Sequence, residues 1–90
     1  MIKKGLEVKN AMGLHARPAA MLAQTAGQFR AEIKIEKDGV EINAKSIMGI
    51  MMLAAQRGVI LNFTFEGSDE GDALKAVQHL FDTAFSEAYE

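Results

Sequence analysis

Leu6 and Val8 alternate with charged neighbours, so Ile2 to Lys9 predicts a first strand with one wet face. The period then changes. Ala19, Leu22, Ala23, Ala26 and Phe29 fall at spacings of three and four, which predicts an amphipathic helix beginning near Ala16 and ending around Gly27. Ile33 and Ile35, then Val40 and Ile42, alternate with Glu and Lys on either side of Asp38-Gly39, a hairpin signal because glycine tolerates the positive φ of a tight turn. Ile47, Ile50, Leu53 and Ala54 form a short helical stripe behind Ser46, with Gly58 as its expected C-cap. Val59, Leu61, Phe63 and Phe65 make the longest apolar strand, expected at the centre of a sheet. A last helix, capped by Ser68 or Asp69, buries Leu74, Val77, Leu80, Phe81, Ala84 and Phe85. The order is β-α-β-β-α-β-α. Alternation in every strand implies a sheet packed on one face, and three helical stripes need one common surface, so the pattern predicts a two-layer α+β sandwich.

Composition restricts what such a fold can do. Ninety residues are expected to form one domain, 1–90, with a single core and no room for a deep catalytic cleft, which places function on the surface. A formal net charge of -2 argues against nucleic acid and against direct binding to an anionic membrane. The strands also lack the exposed pair of aromatics of an RNA-binding sheet. Absence of cysteine removes disulfides, thiolate chemistry and most zinc sites. Gly5 to Asn10 interrupts any apolar run after Met1-Ile2-Lys3-Lys4, so the expected location is cytoplasmic.

One of two histidines and the only proline fall together in Gly13-Leu14-His15-Ala16-Arg17-Pro18-Ala19. A helix starting at Ala16 makes His15 the N-cap and places Pro18 in the first turn, where its missing N–H has no intrahelical partner to lose. The backbone N–H groups that open that turn, those of Ala16 and Arg17, and the positive end of the helix dipole suit a phosphate beside the imidazole. Arg17 adds a forked set of donors. A neutral imidazole offers a lone pair that can attack phosphorus. Taken alone, a histidine here is more often a simple cap and an arginine a solvated surface residue; their adjacency at an anion-binding helix end is what raises the functional reading. His79, off the apolar stripe of the last helix, is assigned to solvent.

Those residues, together with Lys45-Ser46-Ile47-Met48-Gly49, resemble the histidine-containing phosphocarrier (HPr) family of the bacterial phosphoenolpyruvate-dependent sugar phosphotransferase system, over almost the whole chain. The resemblance implies an open-faced β-sandwich with a four-stranded antiparallel sheet ordered 1-4-2-3 and three helices on one face. It implies a stoichiometric carrier rather than an enzyme: His15 accepts a phosphoryl group on Nδ1 from phosphorylated enzyme I and passes it to the A domain of a sugar-specific enzyme II, while Arg17 steadies the group. No metal or cofactor is implied. Two docked proteins can supply the in-line positioning that phosphoryl transfer demands without a private cleft.

Ser46 is placed to cap the second helix, and the resemblance adds a regulatory role as the substrate of an HPr kinase/phosphorylase, with a catabolite-control transcription factor as a further partner. Turning Ile50, Leu53 and Ala54 inward leaves Met48, Met51 and Met52 outward, and Ala20, Met21 and Gln24 are expected to point away from the core on the first helix. These match positions through which the family meets its partners. Methionine suits such a surface, although it also fills cores. Ile47 fits either the core stripe or the docking face. Met12 stands where the family often has a small polar residue, and Ala54-Ala55-Gln56-Arg57 replaces a more glycine-rich stretch, a difference expected to alter local helix length. The docking surface is small enough to predict a monomer. The alternative is a regulatory paralogue, nitrogen-related or devoted to catabolite control, with the same His15 chemistry but no delivery to sugar uptake.

Overall fold

The structure, a computed structural model, describes residues 1–87. Strand β1 (Ile2–Glu7) leads into helix α1 (Ala16–Gly27); β2 (Glu32–Lys37) and β3 (Val40–Asn43) follow, then α2 (Ile47–Met52), β4 (Ile60–Glu66), α3 (Glu70–Asp82) and a short 3-10 segment, Ala84–Glu87. The sheet is antiparallel throughout and ordered β1-β4-β2-β3. The expected α+β open-faced sandwich and strand order are both borne out.

The hairpin turns as its sequence requires. Asp38 and Gly39 have φ of 52° and 83°, two consecutive left-handed residues of the kind that match the twist of the flanking strands. Central placement of β4 follows from its side chains: Leu61, Phe63 and Phe65 are all buried, and the strand pairs with β1 on one side and β2 on the other. The register sets Leu6 against Leu61, Ile35 against Phe63 and Ile33 against Phe65, so one face of the sheet is apolar. Lys4 lies opposite Phe63 and so shares that face from the edge, where an exposed charge discourages further strand addition.

Helices cover the apolar face. Leu22, Ala23 and Ala26 are buried along α1, and Ala73, Val77 and Phe81 along α3. Phe63 stacks on Phe65 at 5.7 Å between centroids and meets Phe81 edge-on at 5.4 Å, which fastens α3 to the sheet. Leu74 and Leu80 flank this line half-buried, Ala84 is also partly covered, and Phe85 is buried. Phe85 reaches the core from outside the helix: left-handed Ala84, Phe85 and Ser86 turn the chain back so that its ring packs on Phe81 at 5.1 Å.

Three expectations need correction. Gly58 does not cap α2, which ends at Met52 with Leu53 as C-cap and Ala54 exposed in the left-handed region. Tertiary hydrogen bonds stop the helix early: the Leu14 N–H donates to the Ala55 carbonyl at 2.9 Å, and Gly58 N–H donates to the Val8 carbonyl at 2.8 Å, drawing the 54–59 segment against the chain that leaves β1. Met21 does not point away from the core but is half-buried and packed against it. Asp69 is the residue before α3, yet its carboxylate makes no cap; it accepts the backbone N–H groups of Arg30 and Ala31, each at 2.8 Å, and ties the α1–β2 connection to the start of α3. Among the described residues no helix is long and apolar enough to cross a membrane.

Candidate functional site

His15 sits where its sequence places it. As N-cap of α1 it has extended backbone (φ -80°, ψ -166°), and its carbonyl accepts the Ala19 N–H at 3.0 Å while its side chain makes no cap hydrogen bond. The imidazole is half-buried, Ala16 and Arg17 are exposed beside it, and buried Pro18 anchors the turn. No acidic residue stands in the first turn of α1. The charge there comes from Arg17 and from backbone N–H groups at the positive end of the helix, a setting for an anion.

The loop carrying His15 is held from within. Asn10, fully buried, donates its side-chain amide to the Gly13 carbonyl, and the Gly13 N–H returns to the Asn10 carbonyl at 3.1 Å. Gly13 has φ of 72°, and a Cβ there would lie 2.5 Å from the Ala55 carbonyl oxygen. Only glycine lets the chain run this close to the 54–56 segment while Leu14 enters the core. Asn10 is the element that the hydrophobic pattern did not single out. Its signal was nonetheless present, since asparagine ahead of a glycine turn bonds the backbone of that turn.

Ser46 is the N-cap of α2, and its Oγ accepts the Gly49 N–H at 3.0 Å, as the sequence suggested. Gly49 lies close under it: a Cβ there would stand 3.3 Å from both the Ile42 Cβ and the Ser46 Oγ. Lys45 turns the other way and donates its ammonium to the Phe29 carbonyl at 2.8 Å, just beyond α1.

One hollow joins the His15 loop to the end of α2. Met12, Leu14, His15, Met51, Ala54, Ala55 and Gln56 line a shallow hollow of about 300 Å³, which brings the imidazole and the end of α2 together. On α2, Met48 and Met52 are exposed, as is Ile47; on α1, Gln24 is exposed and Ala20 half-buried. Ile47, ambiguous in the sequence, is 43% exposed and belongs to the surface. His79 is exposed on α3 and does not line the hollow.

The chain's relatives carry the same architecture. The family model for the phosphotransferase-system HPr component phosphorylation site matches residues 2–83. Phosphocarrier protein HPr of Neisseria meningitidis is 41% identical over 87 residues, covering 97% of this chain and 98% of the relative. HPr-like protein Crh of Halalkalibacterium halodurans is 51% identical over 77 residues, covering 86% and 92%. Among solved structures, HPr from Thermoanaerobacter tengcongensis superposes with a TM-score of 0.92 at 46% identity, covering 96% of this chain and 97% of that one.

Proposed function

Because the chain belongs to the HPr family of the phosphotransferase system, whose members are phosphocarriers and not catalytic enzymes, we propose that His15 is the residue that carries the phosphoryl group. Phosphorylated enzyme I docks on the surface around the hollow. The Nδ1 lone pair of His15 attacks phosphorus, the N–P bond forms as the bond from phosphorus to the donor breaks, and the ring proton passes to solvent. Arg17 and the N–H groups of Ala16 and Arg17 hold the equatorial oxygens, and reversal of the same steps delivers the group to the A domain of an enzyme II. The observation that supports this most is the pairing of a half-buried imidazole with an exposed arginine at a helix N-terminus whose first turn has no carboxylate. Residues 1–90 act as one cytoplasmic, monomeric domain, and Ala20, Met21, Gln24, Ile47, Met48, Met51 and Met52 contribute the docking surface, Met21 through its uncovered part.

Incubation with phosphoenolpyruvate and enzyme I, followed by intact mass and site mapping, tests the reading. One acid-labile phosphoryl group on His15, absent from His15→Ala and formed at least about a hundredfold more slowly in Arg17→Ala, is expected from the usual weight of one transition-state charge contact. Transfer to any other residue, or none, overturns it. A sample whose mass rises with concentration overturns the monomer.

A second reading has its own support. The 51% identity to an HPr-like Crh protein, and the 38% identity to a Bacillus subtilis Crh described as a catabolite repression HPr, support a regulatory role beside the transport one. In that role Ser46, already accepting a hydrogen bond at the start of α2, takes a phosphate from an HPr kinase/phosphorylase and creates a contact for a catabolite-control transcription factor. ATP-dependent, acid-stable phosphorylation confined to Ser46, with no acceptance at His15, is the result that favours it.

A further inference from the structure

Four of the six methionines crowd one exposed face: Met12 is 70% exposed, Met48 74%, Met51 44% and Met52 73%. Methionine ordinarily belongs among the buried residue types, so this concentration is unusual. Met12 and Met51 share the walls of the hollow with His15. Met21, by contrast, is packed against the core. The chain has no cysteine, which leaves these thioethers as its most readily oxidised side chains.

We infer that Met12, Met48, Met51 and Met52 form a methionine-oxidation site that turns off docking at His15 in the presence of a hydroperoxide. The inference rests on the reading of His15 as the transfer residue. A thioether lone pair attacks the terminal peroxide oxygen; the S–O bond forms as the O–O bond breaks, sulfur is oxidised by two electrons, and the peroxide leaves as water or an alcohol. The product, methionine sulfoxide, is polar and chiral where the thioether was apolar and adaptable. A docked partner would have to desolvate those new oxygens without donors placed to receive them. At Met12 and Met51 the negative end of each S–O dipole would also stand beside the phosphoryl group.

The fold tolerates this chemistry because the affected sulfurs lie outside the core. Ile50 is the fully buried residue of α2, and its Ser46 cap is independent of the methionines. Reduction by a methionine sulfoxide reductase with a dithiol removes the oxygen and restores the apolar face. The exposure pattern thus separates a reversible loss of docking from a loss of structure.

The test treats the full chain with graded hydrogen peroxide and follows three quantities: sulfoxide at each methionine by peptide mass, thermal unfolding by circular dichroism, and the initial rate of phosphoryl acceptance from phosphorylated enzyme I. Sulfoxides are expected at Met12, Met48, Met51 and Met52 before Met21, with unfolding nearly unchanged and the rate lowered roughly tenfold, equivalent to about 1.4 kcal/mol. Reductase and dithiothreitol should restore the rate. A variant combining Met12→Leu, Met48→Leu, Met51→Leu and Met52→Leu should keep its own untreated rate after peroxide. An unchanged rate with all four sulfoxides present, earlier oxidation of Met21, or an equal loss in the leucine variant overturns the inference alone. Failure of the untreated chain to accept phosphate at all removes the transfer reading, and this one with it.

Discussion

Gly13 combines two constraints that no other glycine near the site combines. Its φ of 72° is left-handed, and an added Cβ would meet the Ala55 carbonyl at 2.5 Å. Gly39 has a similar φ of 83° but open space around it. Gly13→Ala is therefore expected to lower stability by about 1–3 kcal/mol through backbone strain, and also to slow phosphoryl acceptance, since either the His15 loop or the 54–56 segment must move. Gly39→Ala should lower stability without touching the acceptance rate. Denaturant unfolding and transfer kinetics on the two variants check this, and equal rates in both would show that the close approach does not position His15. At this scale the sequence was legible where the proposed chemistry concentrates. His15, Arg17 and Pro18 announced a helix start, and the structure puts that start at Ala16. The buried role of Asn10 was not legible, because a hydrophobic pattern assigns polar residues to solvent and only the turn geometry sends this one inward.

Among the elements, those with strong periodicity were read from the chain and those with ends set by tertiary bonds were not. α1 has the predicted bounds, while α2 stops at Met52 because the backbone of Ala55, Gly58 and Val59 bonds to Leu14 and Val8. Two helix-entry residues divide in the same way. Ser46 caps its own helix, so Ser46→Ala should lower stability by about 1 kcal/mol, whereas Ser46→Asp, another good cap at a positive helix end, should leave it nearly unchanged. Chemical unfolding of both variants checks the ordering, and an Asp variant as weak as the Ala one would exclude a capping role for the carboxylate. Asp69 instead serves a distant segment. Its carboxyl is held below the usual range chiefly by the Arg30 N–H, with further help from Ala31, whereas desolvation acts the other way. A lowered folded value means the contribution to stability is present above the ordinary carboxylate range and is lost as pH falls through the folded value. Asp69→Asn cannot accept both N–H groups with two oxygens, so it should melt earlier than the parent at neutral pH. Scanning calorimetry should show the gap narrowing in acid; a gap constant with pH would mean the charge does not matter.

Across the whole molecule, stability and the proposed docking draw on different faces. The sheet's inner face and the lines of α1 and α3 close the core, and the most apolar strand lies between two neighbours, which is why order 1-4-2-3 leaves β1 and β3 at the edges. The alternation of residues gave the two layers, but pairing across the sheet came from the family resemblance, since a period of two says which face is buried and not which strand is adjacent. The methionines around His15 stand outside this core. Phe81, 1% exposed and edge-on to both Phe63 and Phe85, links α3 to the sheet. Phe81→Ala should therefore cost about 3–5 kcal/mol, a large share of the roughly 5–15 kcal/mol that holds a typical domain together. Met48, 74% exposed on α2, should cost within about 0.5 kcal/mol when changed to alanine, because little of it leaves water on folding. The order reverses for phosphoryl acceptance measured below the melting range: Met48→Ala slows it by raising the enzyme I concentration needed, while the folded fraction of Phe81→Ala accepts at the parental rate. Parallel losses of stability and acceptance in both variants would mean that one cooperative surface serves both purposes and that the docking face is not separable from the core.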